Sequence, residues 1–189
     1  MELRTAITGR RSIRKFTDQP VDTALLASLL RQAFWAPSGM NRQAWKFVVF
    51  RGESLRTLLA FSSGIAETLD EALEKERFND KMKQFVKGYF RNLGGASTAV
   101  AALSKNVSHG PEVRADECSA AALFYNFLLL AHEAGLATCW MTGYANREEE
   151  FLKRFGLEGY TLAGLTPVGY ADQTPPVPPR KHEDILWLE

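Results

Sequence analysis

With 189 residues, a formal net charge of +1, and 46% hydrophobic against 24% charged residues, the chain suits one compact domain. Such a domain buries roughly 70% of the surface that its unfolded form exposes. The even charge balance excludes a broad nucleic-acid surface, and no apolar run reaches the length of a membrane span. The start, MELRTAITGRR, holds no signal-peptide core, and the two cysteines, Cys118 and Cys139, form neither a CxxC pair nor a disulfide framework. A soluble cytoplasmic protein is expected.

Residues 2–8 predict a short helix with Leu3 and Ile7 on one face, stopped by Gly9 in the usual position after a helix. Asp22 is placed to cap a helix carrying Leu25, Leu26, Leu29, Leu30 and Ala33, which should end before Pro37. KFVVF, residues 46–50, reads as a strand bounded by Gly52. From Ile65 to Asn92 the chain is highly charged and helical in pattern, with a break near Asn79-Asp80 and an end at Gly94-Gly95. Ser97 to Leu103 predicts a strand of small residues. A helix from about Asp116 to Glu133, apolar all round its wheel, should be central and buried, with Gly135 as its stop. Ala137 to Met141 predicts a buried strand. Asn146-Arg147-Glu148-Glu149 has the spacing of a capping box that opens a helix ending at Gly156. Tyr160 to Val168 predicts a last strand, and the prolines of TPPVPP beyond it favour an extended arm over residues 172–189. Helices and strands alternate irregularly, so the fold class is α+β or three-layered rather than a regular βαβ array.

Several chemistries find no motif. There is no GxxxxGK[ST], no GxGxxG after a strand and no GxSxG. His109, His132 and His182 stand isolated, and His132-Glu133 lacks the second histidine of a zinc helix. An enzyme with this inventory would leave the difficult step to a cofactor.

Two stretches carry polar chemistry. GRRSIRKF, residues 9–16, concentrates Arg10, Arg11, Arg14 and Lys15. These cations could merely meet the negative end of a short helix. Alternatively, guanidinium forks with the Ser12 hydroxyl match a phosphate dianion. The stretch APSGMNRQAWKF, residues 36–47, joins a helix to a strand. Turn chemistry explains Pro37-Ser38-Gly39, whereas Asn41 and Gln43 beside a tryptophan could face a polar heterocycle.

Together RRSIRKF, PSGMNRQAWKF, GLATCWMTGY and LTPVGYADQTPPVPPRK occur in the order seen in the nitroreductase family, and the chain resembles that family outside about 55–95. The resemblance implies a single domain over 1–189 with a three-layer fold, in which a central, mostly antiparallel sheet is flanked by helices. It also implies an intertwined homodimer with extended C-terminal arms and an FMN in each of two clefts at the subunit interface. NADH or NADPH would be the reductant and a small electron-poor aromatic the acceptor, with the two substrates taken in turn.

By position, Arg10, Arg11, Ser12 and Arg14 correspond to the flavin-binding segment. Arg10 would face the phosphate, and Arg14 would lie near the N1/C2=O edge, where its charge eases reduction. Pro37, Ser38, Gly39 and Asn41 resemble the loop lent by the partner subunit. Trp140, Met141, Thr142 and Gly143 match the segment whose amides approach the N5/O4 edge, although core and turn roles would also explain them. Arg180 and Lys181 resemble a basic pair that closes on the phosphate. Ala44 stands where the family commonly has proline, and the family's mid-chain polar contact has no assigned counterpart; Asn79 and Asn92 match it by type alone. Residues 62–95 are expected to form a helical excursion or lid, with Phe78, Phe85, Tyr89 and Phe90 toward the pocket or an amphipathic face on the core. Relatives in this family that dehalogenate, oxidise rings or fragment flavin differ mainly in such lids. A non-catalytic flavin module and a phosphopeptide-binding domain are further alternatives.

Overall fold

The computed structural model describes residues 1–105, 110–180 and 184–188. Its helices are α1 (Leu3–Gly9), α2 (Thr23–Ala33), α3 (Gly52–Thr68), α4 (Asp70–Lys75), α5 (Asp80–Asn92), α6 (Pro111–Glu133) and α7 (Glu148–Arg154). The strands are β1 (Trp45–Phe50), β2 (Thr98–Lys105), β3 (Ala137–Thr138) and β4 (Tyr160–Gly169). They form an antiparallel sheet in the order β1-β2-β4-β3.

Strand β2 shows why the molecule has three layers. Its side chains alternate between faces, as any strand's must. Ala99, Ala101 and Leu103 join a core with α3, α5 and α7, whereas Val100 and Ala102 join a second core with α2 and α6. Both faces of the strand are thus buried, which explains its run of small and apolar residues. On the first face, Phe50, Phe61, Tyr144, Phe151 and Phe155 meet mainly edge-to-face, the preferred arrangement for aromatic rings. The fold is α+β.

Local chemistry sets several boundaries as read from the sequence. Asp22 caps α2 by accepting from Leu25 N–H at 2.7 Å, and Asn79 caps α5 by accepting from Met82 N–H at 2.9 Å. Gly135, at φ +77°, ends α6.

Other boundaries differ. Gly9 is the last residue of α1 and not the residue beyond it. Its missing side chain makes room for a neighbour, since a Cβ there would lie 3.1 Å from Nε2 of His132. Gly52 starts α3 directly after Arg51, at φ +53°, where the sequence suggested only a strand end. Helix α6 begins at Pro111, earlier than expected, and its Tyr125 is exposed. The 137–141 strand shortens to Ala137–Thr138, with Met141 returning to Leu165 by an isolated bridge. The capping box at Asn146 does not form. A short 3-10 turn covers Gly143–Arg147 and the helix starts only at Glu148; Arg147 pairs with Glu150, and Glu148 accepts from Leu162 N–H.

No helix among the described residues is long and apolar enough to cross a membrane. Cys118 is exposed and Cys139 buried, both as free thiols. Residues 173–180 and 184–188 carry neither helix nor strand.

Candidate functional site

Residues 10–17 leave α1 and run beside β3 and the end of β4. Ile13 N–H donates to Thr138 O, Phe16 N–H to Gly94 O, Thr17 N–H to Tyr170 O and Asp172 N–H to Lys15 O, each at 2.9 Å. Ile13 and Phe16 are buried with Ala96 and Ala137, which fixes the register. The approach to Gly94 is so close that a Cβ there would sit 2.3 Å from Arg14 O, at a backbone φ of +69°. Only glycine meets both demands. Arg10 and Arg14 stand four residues apart on this run, at most about 13 Å for an extended chain.

The two arginines open into different cavities. The first, of about 290 Å³, is lined by Arg10, Arg11, His132, Thr138, Gln173 and Thr174, with backbone from Gly135 to Ala137. Arg11 Nη1 donates to Thr8 O at 2.6 Å and to Arg10 O at 2.9 Å, so its cation sits on the carbonyl end of α1. Arg10 differs: its Nε is buried and has no hydrogen-bond partner among the described residues. A buried donor left unpaired is unfavourable. Burial, then Arg10 and Arg11, hold the His132 imidazole below the usual histidine range. Linear spacing gave no sign of His132 here, because its proximity to Arg10 arises from α6 ending against α1.

The second cavity, of about 520 Å³, brings Arg14 together with Trp140, Met141, Thr142 and Gly143. Its wall comes from the α4–α5 region, including Leu73, Phe78, Met82, Phe85, Tyr89 and Phe90. Glycines again set the fit. A Cβ on Gly143 would lie 2.5 Å from Cζ of Phe90, and one on Gly164 would lie 2.5 Å from Nε1 of Trp140. The Trp140 ring stands edge-on to Phe124 at 4.8 Å. Met141 is buried, and its N–H donates to Leu165 O at 2.8 Å. Tyr89 OH and Trp140 Nε1 are buried without hydrogen-bond partners. Burial, reinforced by the Cys139 thiol and opposed by Arg14, keeps the Tyr89 hydroxyl protonated.

The neutral amides play structural parts. Asn79 is the α5 cap, and Asn92 accepts from Gly94 N–H at 2.9 Å while bordering a smaller cavity beside Arg14. Tyr89 borders both of the cavities that Arg14 lines.

The Pro37–Asn41 loop lies elsewhere, against the N-terminal half of α6. Gly39 N–H donates to Ser119 Oγ at 3.4 Å, and Arg42 pairs with buried Asp116 at 2.8 Å. Gln43 braces the loop from within, its N–H on Ser38 Oγ at 3.2 Å and its Nε2 on Asn41 Oδ1 at 2.9 Å. Within one chain, Pro37, Ser38, Gly39 and Asn41 line neither arginine cavity. Arg180 is exposed and also lines neither, and Lys181 lies outside the described residues.

Comparison with known proteins matches this geometry to one family. YfhC of Bacillus subtilis, provisionally named an NAD(P)H nitroreductase, is 28% identical over 94% of this chain and 89% of its own. An iodotyrosine deiodinase of Thermotoga neapolitana is 30% identical over 94% of this chain and 93% of its own. A crystal structure of a nitroreductase with bound FMN from Desulfitobacterium hafniense superposes with a TM-score of 0.76 at 25% identity, covering 100% of both chains. The model of the nitroreductase family matches residues 7–170, and the chain belongs to that family.

Proposed function

We propose that the protein is an FMN-dependent NAD(P)H oxidoreductase, acting as a homodimer on electron-poor aromatic acceptors. The observation that carries this reading is the unpartnered Arg10 Nε, buried in one cavity, on the same extended run that delivers Arg14 to another. That pair suits a ligand with an anionic group at one end and a flat heterocycle at the other. The donor set fits FMN, and it accords with the FMN-bound relative and the NAD(P)H nitroreductase name of YfhC.

Arg10, Arg11 and Ser12 hold the phosphate; by the family resemblance alone, the basic pair Arg180 and Lys181 would close on it. Arg14 faces the N1/C2=O edge, where a fixed guanidinium stabilises negative charge that develops on reduction. Met141 N–H is held by Leu165, so the N5/O4 edge falls to the Thr142 and Gly143 amides. When bound, FMN supplies hydride transfer from NAD(P)H to the acceptor. No side-chain nucleophile is needed.

Pro37, Ser38, Gly39 and Asn41 serve the partner subunit's cleft. Support for the dimer is an open groove of about 500 Å³ along α6 and α1, lined by Leu3, Trp35, Leu129 and Leu130. Trp35 is 89% exposed there, and the terminal Ile185–Leu188 side chains are 61–86% exposed. Apolar surface on this scale is normally covered by a partner.

The cavity wall selects the acceptor. Among the described lining residues Arg14 alone is charged, and no carboxylate faces it to receive an ammonium group. Uncharged nitroaromatics and quinones fit this wall better than an amino-acid zwitterion. A second reading, reductive dehalogenation, is favoured by the deiodinase relative and is accommodated for neutral halophenols. Steady-state oxidation of NADH and NADPH with nitroaromatic, quinone and halophenol acceptors separates the two. Turnover on the first two classes supports the proposal; turnover on halophenols alone selects dehalogenation, and no turnover with any acceptor contradicts both.

A further inference from the structure

His132 is the one titratable group lining the Arg10 cavity besides the arginines, among the described residues. It sits in the last turn of α6, against the end of α1, and lines that cavity with Arg10 and Arg11. Gly9 lets it approach, since any side chain at that position would crowd its Nε2. The charged groups facing the imidazole are Arg10 and Arg11. Its neighbour Glu133 is engaged by the Met1 ammonium at 2.8 Å, and Lys15 and Asp172 pair with each other at 2.5 Å. Among the described residues no carboxylate acts on the imidazole to favour its charged form.

We propose that His132 is a further ligand of the cofactor's phosphate and that it binds in its protonated form, so that FMN capture takes up a proton from solvent. The inference rests on the FMN reading above. Without ligand, the imidazole is half-buried beside two guanidiniums, and its charged form is disfavoured by burial and by Arg10 and Arg11. A dianion placed among them reverses the local field, and the protonated ring becomes a charge-assisted donor. Affinity then carries a pH dependence that belongs to this side chain and is separate from the ligand's own titration.

The test compares full-length wild type with His132→Gln, measuring FMN and riboflavin dissociation constants at pH 6 and pH 8.5. The phosphate's own second ionisation, near pH 6, is common to both proteins and cancels in their ratio. The variant should bind FMN about tenfold more weakly than wild type at pH 6, on the scale of one charge-assisted bond, and equally at pH 8.5. Riboflavin, which lacks the phosphate, should not distinguish them at either pH. Gly9→Ala, which displaces the ring without removing it, should shift FMN affinity in the same direction and provides an independent reading if His132→Gln folds poorly. An FMN ratio independent of pH, or the same ratio with riboflavin, overturns the inference while leaving the FMN reading intact. Failure of wild type to bind either flavin removes both.

Discussion

Gly143 and Phe90 meet so closely that a Cβ on the glycine would clash with the edge of the aromatic ring, 2.5 Å from its Cζ. This contact joins the turn that borders the Arg14 cavity to the helix that walls it. Gly143→Ala must push Phe90 and with it α5, an overpacking change of about 1–3 kcal/mol. The expected result is a lower melting temperature together with a raised KM for the acceptor. An unchanged KM at reduced stability would show that α5 does not set acceptor access.

Arg10→Ala removes the donor that the cavity leaves unpaired. FMN affinity should fall about ten- to a hundredfold, the scale of a charge-assisted bond, while riboflavin affinity stays near wild type. Equilibrium titration by flavin fluorescence checks it. Equal loss of both flavins would place Arg10 in support of the fold and not on the phosphate.

A buried pair beneath the cavity makes an asymmetric prediction. Ser62 Oγ donates to Leu58 O at 2.8 Å and also bonds the hydroxyl of fully buried Tyr144. Tyr144→Phe removes one bond and leaves Ser62 its other partner, for about 1 kcal/mol. Ser62→Ala strands the tyrosine hydroxyl in the core, at about 1–3 kcal/mol. Chemical denaturation of both variants should rank Ser62→Ala as the more destabilised, and the reverse order would refute this account of the pair.

Stability should also report on His132. In the flavin-free protein its affinity for protons is depressed by burial and by Arg10 and Arg11. The unfolded chain, with a histidine near its ordinary value of about 6.5, therefore binds the proton first as pH falls. Stability present above that value is lost as pH drops through the lower folded one. The melting temperature should decline from pH 7.5 to pH 5.5, and His132→Gln should flatten part of that decline. Parallel curves for the two proteins would contradict it.

What the sequence disclosed follows from how local each signal is. Asp22 and Asn79 mark helix starts because capping needs only a side chain and an amide three residues on. Arg10 and Arg14 fall on one run because an extended chain converts spacing directly into distance. The capping box at Asn146 misleads because Asn146 lies inside a 3-10 turn and the helix starts only at Glu148. Gly9 looked like a helix stop, and its real reason is a histidine 123 positions away against α1. By sequence Tyr89 is simply an aromatic of the wall, since nothing in the linear pattern shows that its hydroxyl is buried near Arg14. The contacts of α6 with α1 and of α5 with α3 are tertiary, and no periodicity encodes them.

The flavin reading meets its most direct test in the visible spectrum of the purified protein before and after anaerobic addition of NADH or NADPH. Flavin absorbance that is present after FMN reconstitution and bleaches with either nucleotide is the predicted result. A protein that stays colourless in excess FMN, or whose flavin absorbance neither nucleotide diminishes, would contradict it.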